Sequence, residues 1–323
     1  MKCCLYWFLF LFPFFGLSQT NLIYPENDHL LAQQDESQFL SFNKTSPLQN
    51  QLALTSKNTE SASSGARISR SGASKSELGP MIGGSYYTGE LNRMGHFKQM
   101  NLAAGLIFRY NINPRLAFRA NAFYGNVQGD DKLGKTDFAK NRNLSFKSMI
   151  LEVAAGVEFN YYQYQMSNRE HGITTYMFVE VAGFYMNPKA NDQGTWVALQ
   201  PLGTEGQGNG KKRYPLTQLS IPFGLGVKFN LGKGVAMSFE YGLRLTFTDY
   251  IDDVSGVYVD KDKLSNSNGP LAATLADRSL QPLGANGSNT GYRRGDPNDK
   301  DWYSFFGMML TFQLGKPSTC WRF

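Results

Sequence analysis

The sequence predicts an all-β fold: an eight-stranded antiparallel transmembrane β-barrel preceded by a disordered N-terminal extension. Three observations predict it. Eight segments from Glu77 onward alternate with a period of two, the second face of those segments is built of small residues, and the connections between them alternate long and short.

Residues 1–18 precede this pattern. Lys2 is followed by the apolar run Leu5 to Leu17 and by Gly16-Leu17-Ser18 before Gln19, the order of a secretory signal. About thirteen apolar residues containing Pro13 fall short of the roughly 20 that a spanning helix needs, so a mature start at Gln19 is expected. Cys3 and Cys4 lie before the apolar run, where no lipoprotein cysteine sits, and cleavage leaves Cys320 alone. A single cysteine makes neither an internal disulfide nor a cysteine metal cluster. Residues 19–74 are rich in Ser, Asn, Gln and Thr without a sustained period, as in a flexible periplasmic extension.

Residues 75–323 carry the barrel. The expected strands are Glu77 to Tyr87, Asn101 to Ile112, Arg115 to Val127, Ser148 to Tyr162, Thr174 to Tyr185, Leu219 to Leu231, Val235 to Phe247 and Tyr303 to Leu314. In the second, Leu102, Ala104, Leu106, Phe108, Tyr110 and Ile112 share one face. In the sixth and seventh, every odd-numbered residue outside Gly232-Lys233-Gly234 is apolar. The connections run to roughly 13, 2, 20, 11, 33, 3 and 55 residues, the long-short alternation of an outer-membrane barrel with both termini in the periplasm. A strand of thirteen residues tilted near 40° rises about 33 Å, enough for an apolar band of about 25 Å. Tyr86, Tyr110, Tyr124, Tyr161 and Phe247 lie near strand ends, where an aromatic girdle is expected.

A soluble barrel would carry dense Lys, Glu and Thr on its second face. Here that face is mostly Gly, Ala, Ser and Asn, with Arg109, Arg119, Lys228 and Arg244 set against Glu152, Glu158, Glu180 and Glu240. Eight strands enclose a lumen just filled by side chains, so these eight charges are expected to pair in a buried network that plugs it. The inward face of the fifth strand is expected to include Tyr176, Phe178 and Phe184.

The composition excludes several functions. A mean hydropathy of -0.36 rules out a helical membrane bundle, and a net charge of +6 spread without a basic stripe gives no nucleic-acid partner. His29, His96 and His171 fall outside the strands, so no Ser-His-acid arrangement at the bilayer surface is available. Asp249, Asp252, Asp253, Asp260 and Asp262 suit calcium by ligand type but do not have the spacing of an EF-hand loop. A solvated or salt-bridged loop fits them better. Lys211-Lys212-Arg213 reads as a solvated loop tip, and Gly203 to Gly210, which leads from no strand into a helix, as flexible loop.

Several segments carry a family resemblance: ELGPMIGGSYYTGEL at 77–91, SFKSMILEVAAGVEFNYYQY at 145–164, DYIDDVSGVYVD at 249–260, ADRS at 276–279 and RRGDPNDKDWY at 293–303. In order and over roughly residues 76–323, these resemble the PorG-like outer-membrane β-barrel proteins. The fragments in the longest loop, with Asp249, Asp252, Asp253, Asp260, Asp277, Arg278, Arg294, Gly295, Asp301 and Trp302, are the most specific. The resemblance implies a component of the type IX secretion system that contacts a periplasmic ring built from a lipoprotein and its partner, with no enzyme activity and no cofactor. The long polar extension before Glu77 departs from the compact family pattern. The other reading is a surface-interaction barrel that binds an extracellular ligand or protein through its long loops.

Overall fold

The computed structural model describes residues 75–93, 95–166 and 171–315. The signal and extension, His29 and Cys320 lie outside the described residues.

Nine strands form among them: β1 (Ser76–Thr88), β2 (Asn101–Asn111), β3 (Leu116–Asp130), β4 (Ser145–Asn160), β5 (Ile173–Asp192), β6 (Thr195–Ala198), β7 (Thr217–Gly232), β8 (Val235–Thr246) and β9 (Trp302–Leu314). Every pairing between them is antiparallel. The order β4-β3-β2-β1-β9-β8-β7-β5 closes through a β4–β5 ladder, so eight strands make the barrel and no edge of the ring is left unpaired. β6 stands outside the ring, paired only with the last turn-proximal residues of β5.

The outer wall is apolar. Leu102 is 84% exposed, Ile82 and Val181 66% and Val153 63%, and Leu106, Val157, Val179, Leu219 and Leu225 continue the band around the ring. A soluble monomer rarely shows a contiguous apolar patch beyond a few hundred Å². A closed barrel wearing such a belt has its backbone fully paired and its apolar side chains outward, which is what hydrocarbon requires. Tyr110, Tyr124, Tyr161 and Phe247 are exposed, but Tyr86 is not. Phe97 covers it with a ring-centroid distance of 5.4 Å, and its hydroxyl meets Tyr241 Oη at 2.5 Å and His96 Nδ1 at 3.1 Å.

Two prolines interrupt the ladders where their missing N–H requires it. On β1 the pairing with β9 skips between Leu78 and Met81, around Pro80, and on β7 the pairing with β5 skips between Ser220 and Phe223, around Pro222. The β7–β8 turn follows from its sequence: Gly232 and Gly234 take φ of 86° and 76°, which Gly tolerates freely, with Lys233 between them at 53°. At the β2–β3 turn the Asn113 side chain accepts from the backbone N–H groups of Arg115 and Leu116.

At the opposite end the structure differs from the sequence expectation. β5 runs on for 20 residues and turns at Gln193-Gly194 into β6, so the first part of the expected 33-residue loop is a strand hairpin. There the backbone ladder continues while the outward face becomes polar (Asn187, Lys189, Asn191), and the hydrophobic signal fades before the pairing does. Gly203 to Gly210 is likewise no free loop. Thr204, Glu205 and Gln207 are buried, and Asn268 Nδ2 donates to the carbonyls of Leu202 and Gln207 at 2.8 Å each. Residues 131–144 hold α1 (Asp137–Arg142), and residues 247–301 hold α2 (Lys261–Asn268) and α3 (Pro270–Ala276), which pack on each other through Leu264, Ala272, Ala273 and Ala276. Together these long connections form a crown over one mouth of the barrel. Leu91, Leu144, Tyr214, Ile251 and Val254 join the core at that end with Tyr87, Phe146, Ile150 and Met186.

Candidate functional site

Inward positions fill the lumen from the short-turn end upward. Arg109, Arg119, Lys228, Arg244, Glu152, Glu158, Glu180 and Glu240 all lie inside the ring and are between 0% and 6% exposed. Arg109 Nε donates to Glu158 Oε2 at 2.8 Å, and Lys228 Nζ pairs with the other oxygen of Glu158. One layer higher, Arg119 Nε reaches Glu180 Oε1 at 2.9 Å while its Nη1 and Nη2 fork onto Glu240 at 2.8 and 3.1 Å. Arg244 makes a second fork onto Glu152 at 3.2 and 3.3 Å. Bidentate pairs of this kind are the strongest neutralising arrangement that side chains offer.

Hydroxyls and rings complete the packing. Tyr176 donates to Glu240 at 2.9 Å, Tyr303 to Glu152 at 2.7 Å and Asn121 to Glu180 at 2.6 Å. The Arg119 guanidinium lies 4.1 Å from the Phe178 ring centroid and Arg244 4.8 Å from that of Phe305. Gly226 is required here, because a Cβ on it would stand 2.3 Å from the Tyr176 ring. Tyr164, from the connection between β4 and β5, closes the short-turn end with its ring 4.9 Å from Lys228 Nζ. Glu77 adds a fifth carboxylate that sequence reasoning missed. It is 1% exposed and accepts from Asn111 Nδ2 at 2.6 Å and Thr311 Oγ1 at 3.2 Å. Its odd number matches the inward Gly79, Met81 and Ser85, but the mixed faces of β1 obscured that parity.

The crown holds a second set of buried charges, and the acidic string 249–262 does not act there as one unit. Asp253 is held by Thr204, by Tyr214 Oη at 2.6 Å and by Arg294, whose Nη1 also reaches Glu205 at 3.0 Å. Burial pushes its carboxyl up to about 6 from the ordinary 3.8, with Arg294 pulling the other way. Asp260 caps α2 by accepting from Lys263 N–H at 2.9 Å, and Asp262 is exposed. Asp277 accepts from Ser279 N–H and Asn289 Nδ2, and Arg278 Nη1 reaches Ser145 Oγ at 3.4 Å. Gly295 lies against the backbone of Ser255, where a Cβ would stand at 2.8 Å. Trp302, half-buried, turns outward against Phe223. Of the expected solvated or salt-bridged loop, Asp262 is the solvated part and Asp253 the salt-bridged part, whereas Asp252 is buried and meets the Tyr87 hydroxyl instead.

Asp249, Asp252 and Asp301 meet a partner from the far side of the chain, Glu90. The single phenolic proton of Tyr87 faces Asp252 Oδ2 and Asp301 Oδ1, each at 2.6 Å. One phenolic proton is shared between the two, so the pair is left with more negative charge than Tyr87 alone offsets. Burial raises Asp252 and Asp301 well above the carboxylate range, the charges of Glu90 and of Asp252 adding to it respectively. Burial and Asp249 hold Glu90 up to about 7, and burial, with Asp252 adding, holds Asp249 at about 7. The Arg142 guanidinium, whose charge lowers Glu90 and Asp252 in part, makes its carboxylate hydrogen bonds to Asp131 at 2.8 and 2.9 Å. No sequence signal links Glu90 to Asp249 and Asp301; only the closure of the barrel brings them together.

A closed eight-stranded ring, an apolar belt and a lumen packed with paired charges define a membrane-spanning β-barrel protein of the outer-membrane class. The chain belongs to the family described as Domain of unknown function (DUF6089), which matches residues 66–268. No curated protein matches it. Among solved structures it is similar to Neisserial surface protein A, at 9% identity over 75% of this chain and 99% of that chain, with a TM-score of 0.36. It is also similar to Ail, the attachment invasion locus protein of Yersinia pestis (10% identity, 74% and 99% covered, TM-score 0.34), and to a major outer membrane protein from Thermus thermophilus (11%, 73% and 98%, 0.35).

Proposed function

We propose that this protein is a non-enzymatic, non-conducting outer-membrane barrel that works through its two ends as an anchor, positioning a periplasmic assembly of the type IX secretion system. One observation carries the anchoring role: Arg119, Glu180, Glu240 and Tyr176 are buried and bonded to one another across the lumen at mid-height. The secretion role is supported by the sequence resemblance to PorG-like proteins. In this reading the short-turn end faces the periplasm, and the β4–β5 connection, the β2–β3 and β7–β8 turns and the extension 19–74 form the contact surface for the ring lipoprotein.

Affinity purification of the tagged protein from outer membranes tests this reading. Co-purifying ring components, lost when the β4–β5 connection is replaced by a short turn, are the expected result. Normal cargo secretion after deletion of the gene would refute the secretion role, and large stable channels in planar bilayers would refute the plug. A second reading is favoured by the crown, whose connections pack into cores of their own instead of hanging free. In that reading the crown binds an extracellular ligand or protein, and trimming α2 and α3 abolishes function while the barrel stays folded.

A further inference from the structure

Three carboxylates distant in sequence converge because three neighbouring strands end together. β9 lies between β8 and β1, and Trp302 pairs with both Leu245 and Thr88. Asp301 directly precedes that residue, Glu90 follows Thr88 by two, and Asp249 follows the end of β8. One oxygen from each of Glu90, Asp249 and Asp301 therefore lies within 4.8 Å of the others.

The cluster also contains buried acceptors with nothing to accept. Asp249 is 3% exposed and neither of its carboxylate oxygens has a hydrogen-bond partner; Glu90, 8% exposed, has none on Oε2. Ser255 lies near enough to Asp249 to lower its pKa in part, without a hydrogen bond of standard geometry. Such oxygens cost free energy unless a donor or a cation meets them. The local cations Arg142 and Lys300 offset the cluster only from a distance, their hydrogen bonds going to Asp131 and to the carbonyl of Pro297 at 2.7 Å.

We propose that Glu90, Asp249 and Asp301 bind one calcium ion that ties the β1, β8 and β9 exits together at the crown. All donors are oxygens, with no imidazole or thiolate among them, which selects a hard cation. Calcium takes oxygens at about 2.4 Å, a coordination sphere about 4.8 Å across, so three oxygens within 4.8 Å of one another fit around it. Tyr87 holds Asp301 from behind and joins it to Asp252, the kind of outer contact that fixes a ligand's orientation. A pocket of about 310 Å³ opens on the Glu90 side of the cluster. The three arginines on its wall, Arg93, Arg142 and Arg293, are each paired with an aspartate, namely Asp299, Asp131 and Asp296.

The test uses the full-length protein in detergent, freed of divalent ions by chelation at neutral pH. Calcium is titrated calorimetrically, and terbium, a calcium surrogate excited through Tyr87, is followed by its luminescence. The expected result is one saturable site per chain with a dissociation constant on the order of 10⁻⁴ to 10⁻³ M, calcium displacing terbium. Glu90→Gln and Asp249→Asn should each weaken binding by about tenfold or more, while Asp262→Asn leaves it unchanged. Heat-modified mobility on gels reports whether each variant is folded, and two ligand variants keep the test intact if one is not. Absence of saturable binding by the folded wild-type protein at about 10 mM calcium, wild-type affinity in both folded ligand variants, or tighter binding of magnesium than of calcium would each overturn the assignment.

Discussion

In the lumen, Arg119 reaches Glu180, Glu240 and Glu158 from a strand position that the sheet fixes. In the crown, Glu90, Asp249, Asp252 and Asp301 face one another around Tyr87, with Arg142 already engaged by Asp131. Both regions bury charge to a similar depth and differ in how it is compensated. A strand places a residue on the inner wall at every second position, so opposite charges on neighbouring strands can be matched row by row. The crown collects the exits of strands that share no such row, and its carboxylates meet by barrel closure alone. Charge in the lumen is therefore a structural filling, and Arg294 and Arg142 pair their own carboxylates in the crown, whereas the cluster of Glu90, Asp249, Asp252 and Asp301 calls for a proton or a cation from outside.

The largest effect should come from unpicking the lumen. Arg119→Met roughly keeps the volume and removes the one cation that faces three glutamates. It leaves Glu180 and Glu240 buried without their partner, which costs on the order of 3 to 5 kcal/mol. Urea unfolding of the barrel in lipid vesicles measures this. A loss well under about 1 kcal/mol would show that the network contributes packing volume and little else.

The crown answers to pH, and Asp253 sets a window for it. Its folded pKa of about 6 stands above the ordinary 3.8, so the native protein keeps a proton that the unfolded chain gives up. The stabilisation is complete below about pH 4 and is lost as pH rises through about 6, a swing of roughly 3 kcal/mol. Asp253→Asn should remove that part of the pH dependence. Hydrogen exchange at the buried Thr204 and Asp253 backbone amides between about pH 4 and 7 reads it, and an unchanged pH profile in the variant would assign the dependence to other groups.

How much of this was legible in the sequence follows the same divide. Period two gave the eight barrel strands, and parity alone placed Lys228, Glu240 and Arg244 on the inner wall, because a strand has two faces and one of them must meet lipid. The same parity, carried back to Glu77, would have found the fifth carboxylate. Strand ends were less legible: β5 outruns its apolar face by several residues because hydrogen bonding continues above the membrane, where the side chains turn polar. The crown was least legible. Asp249 and Asp301 are separated by two helices and Glu90 lies near the other end of the barrel sequence, so their meeting depends on tertiary closure that no local pattern encodes. Tyr86 teaches a related point, since its outward parity was readable but the cover supplied by Phe97 from the loop after β1 was not.

Neutralising one carboxylate in the crown sharpens the contrast, since it should act with the opposite sign. Asp249 has two buried oxygens without a donor and stands beside Glu90 and Asp301. In calcium-free protein at neutral pH, Asp249→Asn removes a carboxyl that is partly ionised there and supplies an amide able to donate to Glu90 or Asp301. It should raise crown stability by about 1 to 2 kcal/mol, seen as slower proteolysis of residues 247–301. The same substitution type in the lumen, Glu240→Gln, strips the forked partner from Arg119 and should destabilise. If both variants lose stability alike, the crown carboxylates are compensated within the chain, and the difference between the two regions is one of position rather than of charge balance.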